Sequence, residues 1–215
     1  MAGPVREIDR ATWPRAGQYR LFRHYQSPHY AITAPLDVTR LMSELKPQGV
    51  SPFIAVLYSI MAGCNRVDAF RTRFRGETVV EHGSVGGSFT VPSTDRGFVF
   101  CETPFHDDWA MFNRQCRVDI ERARTGGHQG EATAGDDGWI FLSCLPWIAL
   151  SAMTHAVNGA DDCIPRIAWG KIDETSPDQF KVSVAMQVHH ALVDGEHVGQ
   201  FFEQAQTALY AIAVG

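Results

Sequence analysis

The chain has 215 residues, 45% of them hydrophobic and 20% charged, with a formal net charge of -5. These values fit one globular domain of ordinary size, or two small ones, with a sizeable core and supply no basic face for nucleic acid. The N-terminus, MAGPVREIDRATWPR, carries charges where a secretory signal needs an apolar run, and the longest apolar stretch, PFIAVLYSIMAGC, is about half a membrane span. Five cysteines (Cys64, Cys101, Cys116, Cys144 and Cys163) without CxxC spacing argue against a disulfide framework and a zinc site. They read as small buried hydrophobes in a reducing cytoplasm.

In chain order, a helix is predicted from Thr12 to about Tyr25. The alternating stretch HYAITAPLDV follows as a strand. A second helix is expected from Asp37 to about Lys46, and a third from Ser51-Pro52, a cap followed by proline at the first helical position, to about Asn65. The basic cluster FRTRFRG reads as a solvated strand or turn in preference to a phosphate site. ETVVEH is a strand, and SFTVPS and FVFCET flank a TDRG turn as a hairpin. A fourth helix runs from about Asp107 to Arg124, with Trp109, Phe112, Cys116 and Ile120 on one face. TGGHQGEATAGDDG is a long surface loop. WIFLSCL, WIALSAMTHAV, PRIAWGKI and FKVSVAMQVHH read as strands, and a last helix starts near Gly195 with Val198, Phe201, Phe202, Ala205, Leu209 and Ile212 in helical period. There is no internal repeat, no dividing linker and no GxGxxG or GxxxxGK loop. Helices early and late with strands between them predict a single α+β domain, 1–215, built on a mixed sheet.

The chemistry concentrates in QVHHALVDGEHV. Strand alternation sends His189 and His190 to opposite faces, so at most one serves a given site. One reading makes them a core and a surface histidine. A metal reading lacks a third ligand at recognisable spacing. A catalytic reading makes one of them a general base, since neutral imidazole takes a proton near pH 7. Asp194, just before a helical pattern, reads by itself as an N-cap or as a group that orients the base.

This segment resembles the HHxxxDG motif of the chloramphenicol acetyltransferase family. That motif is shared with condensation domains of peptide synthetases and, as a variant, with acyltransferase cores of 2-oxoacid dehydrogenase complexes. The resemblance extends through TWPRAGQYRLFRHY, LDVTRL, SPFIAVLYSIMAGCNRVDAFR, FTV, FLSCLPW and PRIAWGK in family order, from about residue 10 to the end. It implies a mixed β-sheet flanked by helices, a homotrimer with active sites between subunits, and no metal. It implies direct O-acetylation of chloramphenicol from acetyl-CoA, with His190 as general base and Ser143 as donor to the oxyanion. Asp194 would be paired with Arg15 to hold the histidine loop. Leu21, Phe22, Tyr30, Val99, Cys101 and His155 fall at acceptor-pocket positions, and Lys171 and Trp147 on the side of CoA. Phe22 stands where the family commonly has Tyr, Tyr30 where it commonly has Phe, and Ala168 where a Thr usually holds a water. These departures leave room for another small acceptor, or for a carrier-protein thioester as donor.

Overall fold

The computed structural model describes residues 3–93, 97–126 and 136–214. The elements run β1 Val5–Glu7, α1 Ala16–Phe22, β2 His29–Asp37, a π-turn and 3-10 turn over Leu41–Leu45 and Lys46–Gln48, then α2 Pro52–Arg66 and α3 Asp68–Arg71. Next come β3 Thr72–Arg75, β4 Thr78–His82, β5 Gly86–Pro92, β6 Phe98–Thr103, α4 Trp109–Gly126, β7 Trp139–Cys144, β8 Arg166–Ser176, β9 Gln179–His189 and α5 Gly195–Tyr210. Six strands form one mixed sheet in the order β2-β9-β8-β7-β5-β6, and β1-β4-β3 form a small second sheet. Only the β5–β7 and β7–β8 pairs are parallel. The α+β architecture expected from the sequence is therefore present.

One face of the large sheet is covered by helices. Its alternating residues Phe89, Leu142, Ile167, Trp169, Val184, Met186 and Val188 join the core with α2 and α5. Helix α2 starts as predicted, with the Ser51 side chain accepting from the Ile54 backbone N–H at 3.4 Å. It is buried on nearly every side, which is why its sequence is apolar all round. Gly63 lets α5 approach: a Cβ there would lie 2.8 Å from the Phe201 ring. The opposite face carries Ser143, Ala168 and Ala185, each the strand neighbour of the next in register.

Some expectations shift in detail. The first helix is confined to Ala16–Phe22. The second helix is present as tightly and loosely wound turns over residues 39–48, π over Leu41–Leu45 and 3-10 over Lys46–Gln48, and Asp37 caps it as expected, its Oδ1 accepting from the Thr39 backbone N–H at 2.8 Å. WIALSAMTHAV is not a strand: β7 and β8 already pair with each other and with β5 and β9, so the sheet has no free edge beside them. That segment instead crosses the open face, where the His155 N–H donates to Gln187 Oε1 at 2.5 Å. The SFTVPS/FVFCET hairpin is present as the β5–β6 pair. Most of its turn, and residues 127–135 of the expected long loop, lie outside the described residues.

The basic cluster is not solvated throughout. Arg73 is 0% exposed. Its guanidinium donates to the carbonyls of Asp137, Phe70, Thr72 and Trp139 at 2.9, 2.9, 2.8 and 3.0 Å. It thereby ties β3 to the start of β7, and four buried carbonyls depend on it. Arg73→Met should lower the unfolding free energy by about 4 kcal/mol in urea titration. A loss below about 1 kcal/mol would show that the four carbonyls find other donors.

Candidate active site

The two histidines divide as alternation requires. His189, at the end of β9, is 2% exposed. Its ring lies edge-on to Phe74 and His29, with centroids at 4.9 and 5.1 Å. The Ala160 carbonyl lies 3.0 Å from Nε2, so Nε2 carries the proton and donates. Nδ1 accepts from the Ala191 N–H at 3.1 Å. Both ring nitrogens are satisfied in the neutral form, and burial, with His29 next, lowers the pKa to about 4. His189 has no free nitrogen for chemistry.

His190 begins the turn after β9, on the side of the sheet where Tyr30 and Val188 face the helices. Its backbone N–H donates to the Pro28 carbonyl at 2.9 Å. The ring stacks on Phe22 at 3.9 Å and 11°, and leans on Tyr30 at 4.7 Å. Nδ1 lies 3.1 Å from the Val193 carbonyl. A carbonyl only accepts, so the proton sits on Nδ1 and Nε2 keeps its lone pair. Two aromatic rings and one hydrogen bond thus fix the rotamer and tautomer of an imidazole whose Nε2 can take a proton.

The turn is held from a distance of 175 residues or more along the chain by Arg15. Its Nη2 donates to the His190 carbonyl at 2.9 Å and its Nε to the Ala191 carbonyl at 3.1 Å. Its Nη1 pairs with Asp194 Oδ2. Burial pushes the Asp194 carboxyl up, but the hydrogen bond and charge of Arg15 outweigh it and hold the group below its usual range. Asp194 is also the N-cap residue of α5. The N-cap and the ion-pair readings of this residue are both realised.

The other expected residues do not join this group within one chain. Ser143 sits on β7 opposite Ala168 of β8, and Ala168 opposite Ala185 of β9. From Ser143 to His190 is two strands across to Ala185 and then five residues along β9, roughly 20 Å between Cα atoms. The two residues also lie on opposite faces of the sheet. Around Ser143 the chain gathers a second set. The Leu145 N–H donates to the Trp169 carbonyl at 2.8 Å, and the Lys171 N–H to the Ile148 carbonyl at 2.8 Å. These bonds hold exposed Trp147 and Lys171 at the same end of β7 and β8. Gly170 makes the approach possible, since a Cβ there would lie 2.7 Å from the Ile148 carbonyl oxygen. Lys171 Nζ has only a loose contact, 3.6 Å, with Asp173. His155 also lies on this face, with its Nε2 buried and without a partner among the described residues. Burial, and then the charge of Arg166, hold its pKa below the usual value.

Leu21 is exposed at the end of α1, one residue before Phe22. Val99 and Cys101 are buried in the core on the helix-covered face, while Phe98 and Phe100 occupy the open face of β6. The strand period of FVFCET carries this signal: one alternate set must face inward, and it is the set with the smaller residues. The Tyr30 hydroxyl is buried without a partner among the described residues. Burial, with the Asp194 charge next, raises its pKa to about 12. No group of three or more His, Cys, Asp or Glu side chains that could hold a metal occurs among the described residues. No single helix among them is long and apolar enough to cross a membrane.

A clamped histidine on an HHxxxDG turn, at the end of a mixed sheet, points to the acyltransferase class. The family profile described as chloramphenicol acetyltransferase matches residues 5–206, and the chain belongs to that family. It is similar to chloramphenicol acetyltransferase 3 of Escherichia coli, 23% identical over 93% of this chain and 94% of that one. It is also similar to the chloramphenicol acetyltransferase of Clostridium perfringens, 26% identical over 93% of this chain and 92% of that one. Among solved structures, a chloramphenicol acetyltransferase superposes with a TM-score of 0.85 at 24% identity, covering 96% of this chain and 100% of that one. The dihydrolipoamide acetyltransferase of Azotobacter vinelandii superposes with a TM-score of 0.63 at 17% identity, covering 91% of this chain and 86% of that one. The fold is thus that of the wider acyltransferase group.

The division between the histidines predicts separate titrations. In the folded protein the His189 ring signal should stay constant from pH 8 down to about 5 and move only near pH 4. Its folded pKa lies below the unfolded value of about 6.5, so its contribution to stability is complete above 6.5 and is lost as pH falls from 6.5 through 4. A His189 signal that titrates near 6.5 by NMR would contradict the neutral, doubly bonded ring.

Proposed function

We propose that the protein acetylates a hydroxyl of chloramphenicol with acetyl-CoA by direct transfer, and so confers resistance to that antibiotic. His190 is the base. Its Nε2 takes the acceptor's hydroxyl proton as the oxygen attacks the thioester carbonyl. The tetrahedral intermediate carries an oxyanion, which the Ser143 hydroxyl stabilises by donating to it. Collapse breaks the carbon–sulfur bond, and the departing thiolate recovers the proton from the imidazolium. Lys171 and Trp147 receive CoA, the lysine by its charge and the indole by its apolar face. The observation that carries this reading is the His190 ring, clamped by Phe22, Tyr30 and the Val193 carbonyl with Nε2 left free.

The roughly 20 Å between His190 and Ser143 supports a site completed by a neighbouring copy. We propose a homotrimer in the cytoplasm, each chain one domain over 1–215, with His190 of one chain facing Ser143 of the next. A second reading keeps the fold and base but changes the acceptor. Two buried polar atoms without partners among the described residues favour it, the Tyr30 hydroxyl and His155 Nε2, because each would suit an acceptor with a matching polar group.

Thiol release from acetyl-CoA should depend on added chloramphenicol and should nearly vanish in His190→Ala with the fold retained. Near-wild-type turnover in that variant would remove the base assignment. Refolding equal parts of His190→Ala and Ser143→Ala chains together should restore about a quarter of wild-type sites, the chance that an intact His190 meets an intact Ser143 on its neighbour. A mixture no more active than its parents would refute the shared site.

A further inference from the structure

Asp194 has a second attachment that the Arg15 pair does not explain. Its Oδ2 is taken by Arg15, and its side chain also meets the His197 backbone N–H in a capping box at the start of α5. Its Oδ1 lies 2.7 Å from Nδ1 of His197, three residues on in the first turn of α5. The same Nδ1 accepts from the Asp194 backbone N–H at 3.2 Å. One nitrogen cannot accept and donate at once. The neutral ring with its proton on Nε2 caps the backbone of Asp194, and a ring protonated on Nδ1 donates to Oδ1 instead. In either form His197 grips Asp194 on the side away from Arg15.

His197 lines a cavity of about 560 Å³ together with Trp13, Arg15 and Leu192. The charged groups around it there are Arg6, Glu7, Asp9, Arg15, Asp68 and Glu81. The Arg6–Glu81 pair is closed at 2.6 Å and Asp68 is paired with Arg71, so these partners are engaged away from the ring.

We propose that His197 is a positioning residue for the acyl transfer, acting through Asp194 on the turn that aims His190. The path is short and contiguous. His197 fixes Asp194, and Asp194 with Arg15 fixes the carbonyls of residues 190 and 191. The neighbouring Val193 carbonyl then stays under His190 Nδ1 and keeps the lone pair on Nε2. The inference rests on His190 being the base.

Asparagine places an amide atom where Nδ1 sits, and glutamine places it farther out, near Nε2. His197→Asn should therefore keep the contact and His197→Gln should lose it while retaining polarity and fold. Expected for His197→Gln is a kcat lowered about tenfold, with KM for chloramphenicol and acetyl-CoA within about twofold of wild type. Nitrogen NMR of His190 should show a mixture of tautomers in that variant, against a single Nδ1–H tautomer in wild type and in His197→Asn. Equal kcat in the two variants, or an unmixed His190 tautomer in His197→Gln, would overturn the proposal. A wild-type protein that turns over no chloramphenicol overturns the functional reading instead, and the tautomer comparison still decides the role of His197.

Discussion

The structure depends most on the guanidinium of Arg15. The end of β9 leaves two carbonyls, at residues 190 and 191, with no strand to pair them. Arg15 donates to both and closes its charge against Asp194. A lysine has one nitrogen and could not span three acceptors in this arrangement. Because Asp194 also starts α5, the same side chain joins the last strand, the last helix and the segment before α1. The turn that carries His190 is therefore fixed by a residue at the other end of the chain, and its geometry exists only when the whole domain is folded.

On that support the two histidines take opposite chemical states for opposite purposes. His189 is locked neutral with both nitrogens used, which makes it a well-satisfied core residue. His190 is locked with one nitrogen used. The difference is set by which face of the sheet each ring enters. His189 meets Phe74, His29 and the Ala160 carbonyl, and His190 meets Phe22, Tyr30 and the carbonyl of its own turn. His190 thus sits on one face of the sheet and Ser143 on the other. Within one chain the two residues are kept apart, which is the ground for the proposed site between neighbouring copies.

Much of this was legible in the sequence because the signals were local. Ser51-Pro52 marked the start of α2, the helical period marked α4 and α5, and alternation separated His189 from His190. The misreadings come where tertiary context overrides local pattern. WIALSAMTHAV has strand-like composition but no strand left to pair with. FRTRFRG has the composition of a solvated surface, yet Arg73 is enclosed by four carbonyls contributed from residues up to 66 positions away. FVFCET pairs as the expected hairpin strand, and its composition did not say which alternate set faces the helices; the structure turns Val99 and Cys101 inward. The pairing of Arg15 with Asp194 was available only through the family resemblance, since nothing in local spacing links residues 179 apart. His197 escaped notice because a histidine at the third position of a helix looks like an ordinary surface residue.

The central claim is that Arg15 and Asp194 act as one device that aims His190. A double-mutant cycle on kcat tests it most directly, with Arg15→Ala, Asp194→Ala and the double variant assayed beside wild type. If the account holds, the double variant is no slower than Arg15→Ala alone, because the first substitution already releases the turn. If instead the two losses multiply, the residues act independently and the account is wrong.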